Sequence, residues 1–197
     1  MVRSRCLILT CGNILTNGTF YGVGRHSVAS YSAEICDGWR LEQRHADRVE
    51  PVTVDVALPT GLYIALPQGA AAVRLVQSLD AYDIDEAVFL ATTLDVVEHT
   101  PGAIASIFLT VGSREDPMRA ERVHTTLAGV PPPDAEPRQR IDTVVPVRRS
   151  IYLMQPYKFA IALAPGARVE IRSAGFRATM PDLSPATNAG PEGSVVQ

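Results

Sequence analysis

Lysine is almost missing from this chain: Lys158 is the only one, and the rest of the 18 basic residues are arginine. Against 21 acidic residues they leave a net charge of −3 and a pI near 5.8, which carries no electrostatic footprint for nucleic acid. Aromatics make up 6% of the chain, with one tryptophan, a thin supply for a surface that stacks on ligands. The three cysteines, Cys6, Cys11 and Cys36, are odd in number and fit no zinc spacing, so neither a disulfide framework nor a zinc site is expected, and buried reduced thiols are. No apolar run reaches the roughly 18–20 residues that span a bilayer. The run after Arg5 is also too short for a signal peptide core. The expectation is a soluble product of a cytoplasm, with no membrane and no nucleic-acid partner.

Catalytic signatures are also lacking. There is no Gly-x-Ser-x-Gly elbow, no phosphate-cradling glycine loop and no His-Glu-x-x-His. Gly22-Val23-Gly24 is too short for a dinucleotide fingerprint. The histidines, His26, His45, His99 and His124, are scattered singly. Asp55, Asp95 and Glu170 are the acids centred in expected strands, and outward-facing alternation accounts for them. The chain is expected not to be an enzyme.

What the chain does contain is β-structure. Val52 to Leu58 alternates with period two, Leu62 to Leu66 and Ala71 to Leu79 are further strands, and Pro67-Gln68-Gly69 breaks between them. Ala87 to Val97 and Ala103 to Gly112 are long apolar strands joined by Glu98 to Gly102, a loop of hairpin length. Tyr157 to Leu163 and Ala167 to Ala178 are joined by Ala164-Pro165-Gly166, read as a tight turn between paired strands. In the last of these, Val169, Ile171 and Ser173 share one face while Glu170, Arg172 and Ala174 share the other. Glu42 to Glu50 reads as charged and irregular, and Arg114 to Arg122 as a turn of helix. Pro146 within Ile141 to Leu153 marks an edge strand or a bulge.

The stretch from Gly12 to Leu41 organises the rest. Ile14 and Leu15 can enter a strand, Asn17-Gly18 is a strong turn signal, and Phe20 restarts the apolar pattern. Trp39 is large enough to anchor a core, and stacking on a sugar is its other use. Asn13, Leu15, Asn17, Gly18 and Phe20, followed by Asp37 and Trp39, resemble the "N-L-L-x-N-G-x-F" and "D-x-W" motifs of phage tail-fibre and virion-surface modules and of related carbohydrate-binding modules. Arg74-Leu75-Val76-Gln77 is similar to an "R-L-x-Q" strand of those families, and Ala167 to Ala178 to their closing strand. The resemblance covers most of Leu7 to Met180.

It implies an all-β fold, a jelly-roll β-sandwich over residues 1–180; composition adds a long Pro-rich loop from Gly129 to Pro137 and an extended C-terminal tail over 181–197. It also implies trimers and, in some modules, a structural calcium. Asp80, Asp83 and Asp85 are the residues that could hold such a Ca²⁺, though they lack EF-hand spacing. Two functions follow as expectations. The first is a capsid decoration (cement) protein of a bacteriophage head, localised to the virion as a homotrimer and partnered by a major capsid protein. Its interface would use Arg148 and Arg149, the Pro131, Pro132 and Pro133 run, and Pro181 and Pro185 of the tail. With Met1 directly ahead of the module and no fibre shaft, decoration is favoured over a fibre tip. The second is a glycan-binding module, free or at a tail-fibre tip, with a cell-surface glycan as partner. Its ligand-binding candidates are Trp39, Tyr82 and Tyr157, with Tyr21 and Tyr31 beside them.

Overall fold

The computed structural model describes residues 8–10, 13–43, 49–57, 60–70, 73–80, 84, 87–112, 122–128, 138–147 and 156–181. The strands among them are β1 (Ile8–Thr10), β2 (His26–Val28), β3 (Ser32–Cys36), β4 (Trp39–Gln43), β5 (Val52–Val56), β6 (Leu62–Ala65), β7 (Val73–Leu79), β8 (Phe89–Glu98), β9 (Ile104–Val111), β10 (Arg122–Ala128), β11 (Arg138–Pro146), β12 (Tyr157–Leu163) and β13 (Arg168–Pro181). They form two antiparallel sheets. One runs β11-β8-β13-β6-β5-β2, with β1 also on β13, and the other runs β10-β9-β12-β7-β4-β3. This is the all-β sandwich that the alternating segments require, since each strand has one apolar face to bury.

The sheets close on a continuous apolar core. Trp39 from one sheet packs edge-on against Phe159 at 6.1 Å, and Phe159 meets Phe176 of the other sheet at 5.3 Å. Phe20, from a loop, completes the cluster against Trp39. Such aromatic pairs contribute about 0.5–1.5 kcal/mol each beyond the area they bury.

Both expected hairpins are instead arches that cross between sheets. β8 lies between β11 and β13, whereas β9 lies between β10 and β12; likewise β12 and β13 belong to different sheets. Loop length and alternation are the same for a hairpin and an arch, and what separates them is where the corner's polar groups find partners. Here the corners bond to each other. His99 N–H donates to Arg168 O at 2.8 Å, Ala164 N–H to Ala103 O at 2.9 Å, and Gly166 N–H to Pro67 O at 3.1 Å. The buried Glu98 carboxylate accepts the backbone N–H groups of Ile104 and Gly102.

Three further readings change. Glu42 and Gln43 are not irregular but lie in β4, where the buried Glu42 carboxylate receives Lys158 Nζ at 2.9 Å and Arg74 Nη2 at 3.1 Å. Ile14 and Leu15 lie outside any strand. In β13 the pairing with β8 slips between Ile171 and Ser173. This bulge inverts the alternation, so that Ala174, Phe176 and Ala178 are the buried residues beyond it and Ser173 turns outward opposite Asp95. Pro146 ends β11, an edge strand, as its missing N–H requires. Residues 113–121, read as a helical turn, lie outside the described residues, although Arg122 opens β10.

Candidate ligand-binding site

The motif-bearing stretch forms one tied-down loop. Asn13 Oδ1 accepts Phe176 N–H at 2.9 Å, Ile14 N–H donates to Phe176 O, and Ala174 N–H donates to Gly18 O at 2.7 Å. The loop thus supplies partners along the edge of β13 between its pairings with β6 and β1. From the other sheet, the buried Gln77 amide bonds both backbone groups of Thr16, accepting at 2.7 Å and donating at 2.9 Å. Trp39 Nε1–H donates to Thr16 O and Asn17 O. A Cβ at position 18 would run into Ala174 O, so only glycine fits there. Asn17, at φ 48°, brackets the next turn: its Oδ1 accepts Tyr21 N–H at 2.7 Å and its Nδ2 donates to Tyr21 O at 2.9 Å.

The outcome of all this anchoring is an aromatic held in water. Tyr21 is 85% exposed, while its neighbour Phe20 is buried at 2%. On one side of the loop lies an apolar groove of about 390 Å³, bounded by Tyr21, Val23, Val56 and Gly61. On the other side, a polar groove of about 330 Å³ runs over the outer face of the β11-β8-β13 sheet, between Asn13 and Thr19 of the loop and Thr93, Arg140, Ser173 and Arg177 of the strands. Thr19 lines both, so the two adjoin.

The expected ligand residues fare differently. Trp39 and Tyr157 are buried, at 0% and 1% exposure, and offer no face to a ligand: Trp39 packs between Phe20 and Phe159, and Tyr157 stands edge-on to His124. Tyr82 lies outside the described residues, as do Asp83, Asp85, Arg148, Arg149, Pro131, Pro132, Pro133 and Pro185. Asp80 is exposed at the end of β7, and Pro181 pairs with Ile8 at the end of β13. Among the described residues no three His, Cys, Asp or Glu side chains gather as a metal site requires. Tyr31 is exposed but borders neither groove.

Sequence reading missed Thr93, Arg140, Ser173 and Arg177. One signal was available: Gly175 interrupts a strand pattern, which often marks a place where something approaches the backbone closely.

No family model matches the sequence, and no curated protein matches it. Solved structures do share its fold. A Stig cyclase from Fischerella sp. TAU superposes with a TM-score of 0.57 at 13% identity, over 88% of this chain and 99% of the cyclase. A putative sugar binding protein from Bacteroides thetaiotaomicron VPI-5482 gives 0.53 at 13% identity, over 84% and 99%. The enzymatically active domain of a bacteriophage CBA120 tailspike protein gives 0.52 at 13% identity, over 83% of this chain but 21% of the tailspike chain. This chain therefore spans about a fifth of that tailspike domain. At these identities the likeness is one of fold alone, a β-sandwich.

Proposed function

We propose that this protein is a non-enzymatic glycan-binding module whose ligand lies along the two grooves and stacks on Tyr21. The observation that carries the reading is the contrast between Tyr21 and its support. An aromatic ring 85% in water is held by a backbone whose two nearest polar groups are both bonded to Asn17, on a loop fastened to both sheets. Preorganised aromatic area next to a polar cleft suits a sugar ring, which offers an apolar face for stacking and hydroxyls for hydrogen bonds. Among the described residues neither groove is lined by a carboxylate, histidine or cysteine, which supports a reading of binding without catalysis.

The setting we propose is a virion surface, where receptor binding unites this reading with the motif resemblance. A capsid cement role, with homotrimers and a major capsid protein as partner, rests on the proline arm, the tail and Arg148 with Arg149, so the glycan reading takes precedence over it. Sedimentation of the purified chain reads the trimer directly.

The test is a glycan array probed with the full chain and with Tyr21→Ala. The expected result is a defined set of bound glycans, each weakened roughly tenfold or more by the substitution. A folded protein that binds none of the array, or a Tyr21→Ala variant that binds as well as the parent, overturns the reading.

A further inference from the structure

We infer that the polar groove over Gly175 is a subsite for a carboxylate-bearing sugar, with Arg177 as the partner of the carboxylate; the inference rests on the glycan reading and names the class of ligand. Gly175 is a glycine the fold does not need. Gly175 sits inside β13 opposite Thr93, with its α-carbon hydrogen directed to the outer face. A Cβ there would meet Thr93 Cβ at 3.6 Å and Thr93 O at 3.8 Å, ordinary contact, and the backbone is not left-handed. Gly18 and Gly61 are different, because at each an added Cβ would collide with β13 backbone. Glycine within a strand weakens it, so Gly175 carries a cost without a packing reason. Its position supplies one of another kind: a side chain at 175 would fill the groove.

The groups around this floor are uncommitted. Beyond the backbone ladder of β8 and β13, the side chains of Thr93, Ser173 and the exposed Arg177 make no hydrogen bond or ion pair with any described residue. Arg140, on the far side, is held through Nε by Asp142 at 2.7 Å, so that pair is neutral. Asp95 and Asp142 stand on the neighbouring strands but do not line the groove. Asn13 spends its amide on the backbone of Leu15, Ala174 and Phe176 and serves as wall. The groove therefore presents one unpaired guanidinium beside two free hydroxyls above a bare backbone. A guanidinium meets a carboxylate as a planar two-pronged fork, and the hydroxyls match those of a sugar ring. Thr19 continues the groove to Tyr21, so an oligosaccharide could seat an acidic unit over Gly175 and a neighbouring ring on the tyrosine.

The test titrates the full chain calorimetrically with uronate-containing oligosaccharides, with the same oligosaccharides after carboxyl reduction, and with sulfated glycans. The expected result is binding at least about tenfold tighter for a uronate form than for its reduced counterpart. Arg177→Gln should abolish that preference and Arg177→Lys should retain part of it. Gly175→Val should lose the ligand while melting at the same temperature or higher, because a β-branched residue suits the strand. Equal affinity for both forms, no effect of Arg177→Gln, or tighter binding of the sulfated glycans overturns the carboxylate assignment and leaves the glycan reading standing. Binding of no glycan in any arm or on the array overturns both.

Discussion

Phe20 packs against Trp39 with ring centroids 4.9 Å apart and planes tilted by 42°, and it does so from a backbone position at φ 58°, where a residue with a side chain is strained. The pair joins the loop that presents Tyr21 to the core of the sandwich. The energy of burying the Phe20 ring holds the backbone in the left-handed region, and that turn sends the next side chain outward. Presentation of the aromatic is thus a consequence of core packing one residue earlier.

This makes an unusual ordering of variants. Phe20→Ala removes the ring and keeps the strain, at a cost of about 3–5 kcal/mol. Phe20→Gly removes the same ring but relieves the backbone, since glycine takes positive φ freely. Chemical denaturation should therefore find Phe20→Gly more stable than Phe20→Ala by about 1 kcal/mol, the reverse of the ordinary order. An alanine variant that is the more stable of the two would show that the strain is not present in solution.

Gln77 acts on the same loop from below. Its amide closes a two-bond ring with Thr16, and Gln77→Leu would strand the Thr16 N–H while leaving the Thr16 carbonyl with Trp39 Nε1–H as its remaining donor. A stranded backbone group costs about 1–3 kcal/mol, so a loss of stability of about that size is expected. The more telling readout is local: hydrogen exchange at Thr16 should quicken by more than at the centre of β12. Equal acceleration at both sites would mean that Gln77 supports the core generally and not the loop.

Glu98 makes the arch between β8 and β9. Both carboxylate oxygens accept backbone N–H groups, Ile104 at 2.9 Å and Gly102 at 3.2 Å. Glu98→Gln keeps the shape but replaces one acceptor by a donor that must face an N–H. A destabilisation of about 1–3 kcal/mol is expected, against little change for a substitution of the exposed Pro165 in the neighbouring arch. Indistinguishable unfolding midpoints for Glu98→Gln and the parent would remove the carboxylate from this role.

These polar side chains explain where the sequence was legible and where it was not. Strands β5 and β7 were legible by alternation, and β6 and β12 as short apolar runs between turn signals. The pairing of strands was not, because the choice between hairpin and arch depends on Glu98, a charged residue at an inward position that pattern reading assigns to water. The bulge in β13 has the same character: one slipped residue moves Ser173 out and Ala174 in, with no mark in composition. β2 and β3 are short, of three and five residues, and lie in a span rich in glycine and serine that shows no alternation. The motif around Asn13 and Trp39 was legible as a unit, yet its residues turn out to fasten the loop, while the side chain it presents, Tyr21, lies just outside the motif. The polar groove gathers Asn13, Thr93, Arg140 and Arg177 from four distant stretches, and only the folded sheet brings them together.

Cys36 offers a last check on the end of the sandwich where β3 meets β4. Its thiol is buried, and its pKa is pushed from the ordinary 9.0 up to about 11, first by burial and then by the carboxylates of Asp37 and Glu34. The thiolate is the reactive form, so in a background where Cys6 and Cys11 are serine, Cys36 should resist alkylation at pH 8 until the protein is unfolded. The stability consequence has a definite sign. Between pH 9 and about 11 the unfolded chain has lost this proton and the folded chain still holds it. The unfolded state then binds fewer protons, so stability falls as pH rises through that window, by at most about 3 kcal/mol once both forms are ionised. Cys36→Ala should flatten this part of the pH profile. A parent whose denaturation midpoint is level from pH 9 to 11, or a thiol alkylated in the native state as fast as a free one, would place Cys36 in water and open the β3–β4 end of the core.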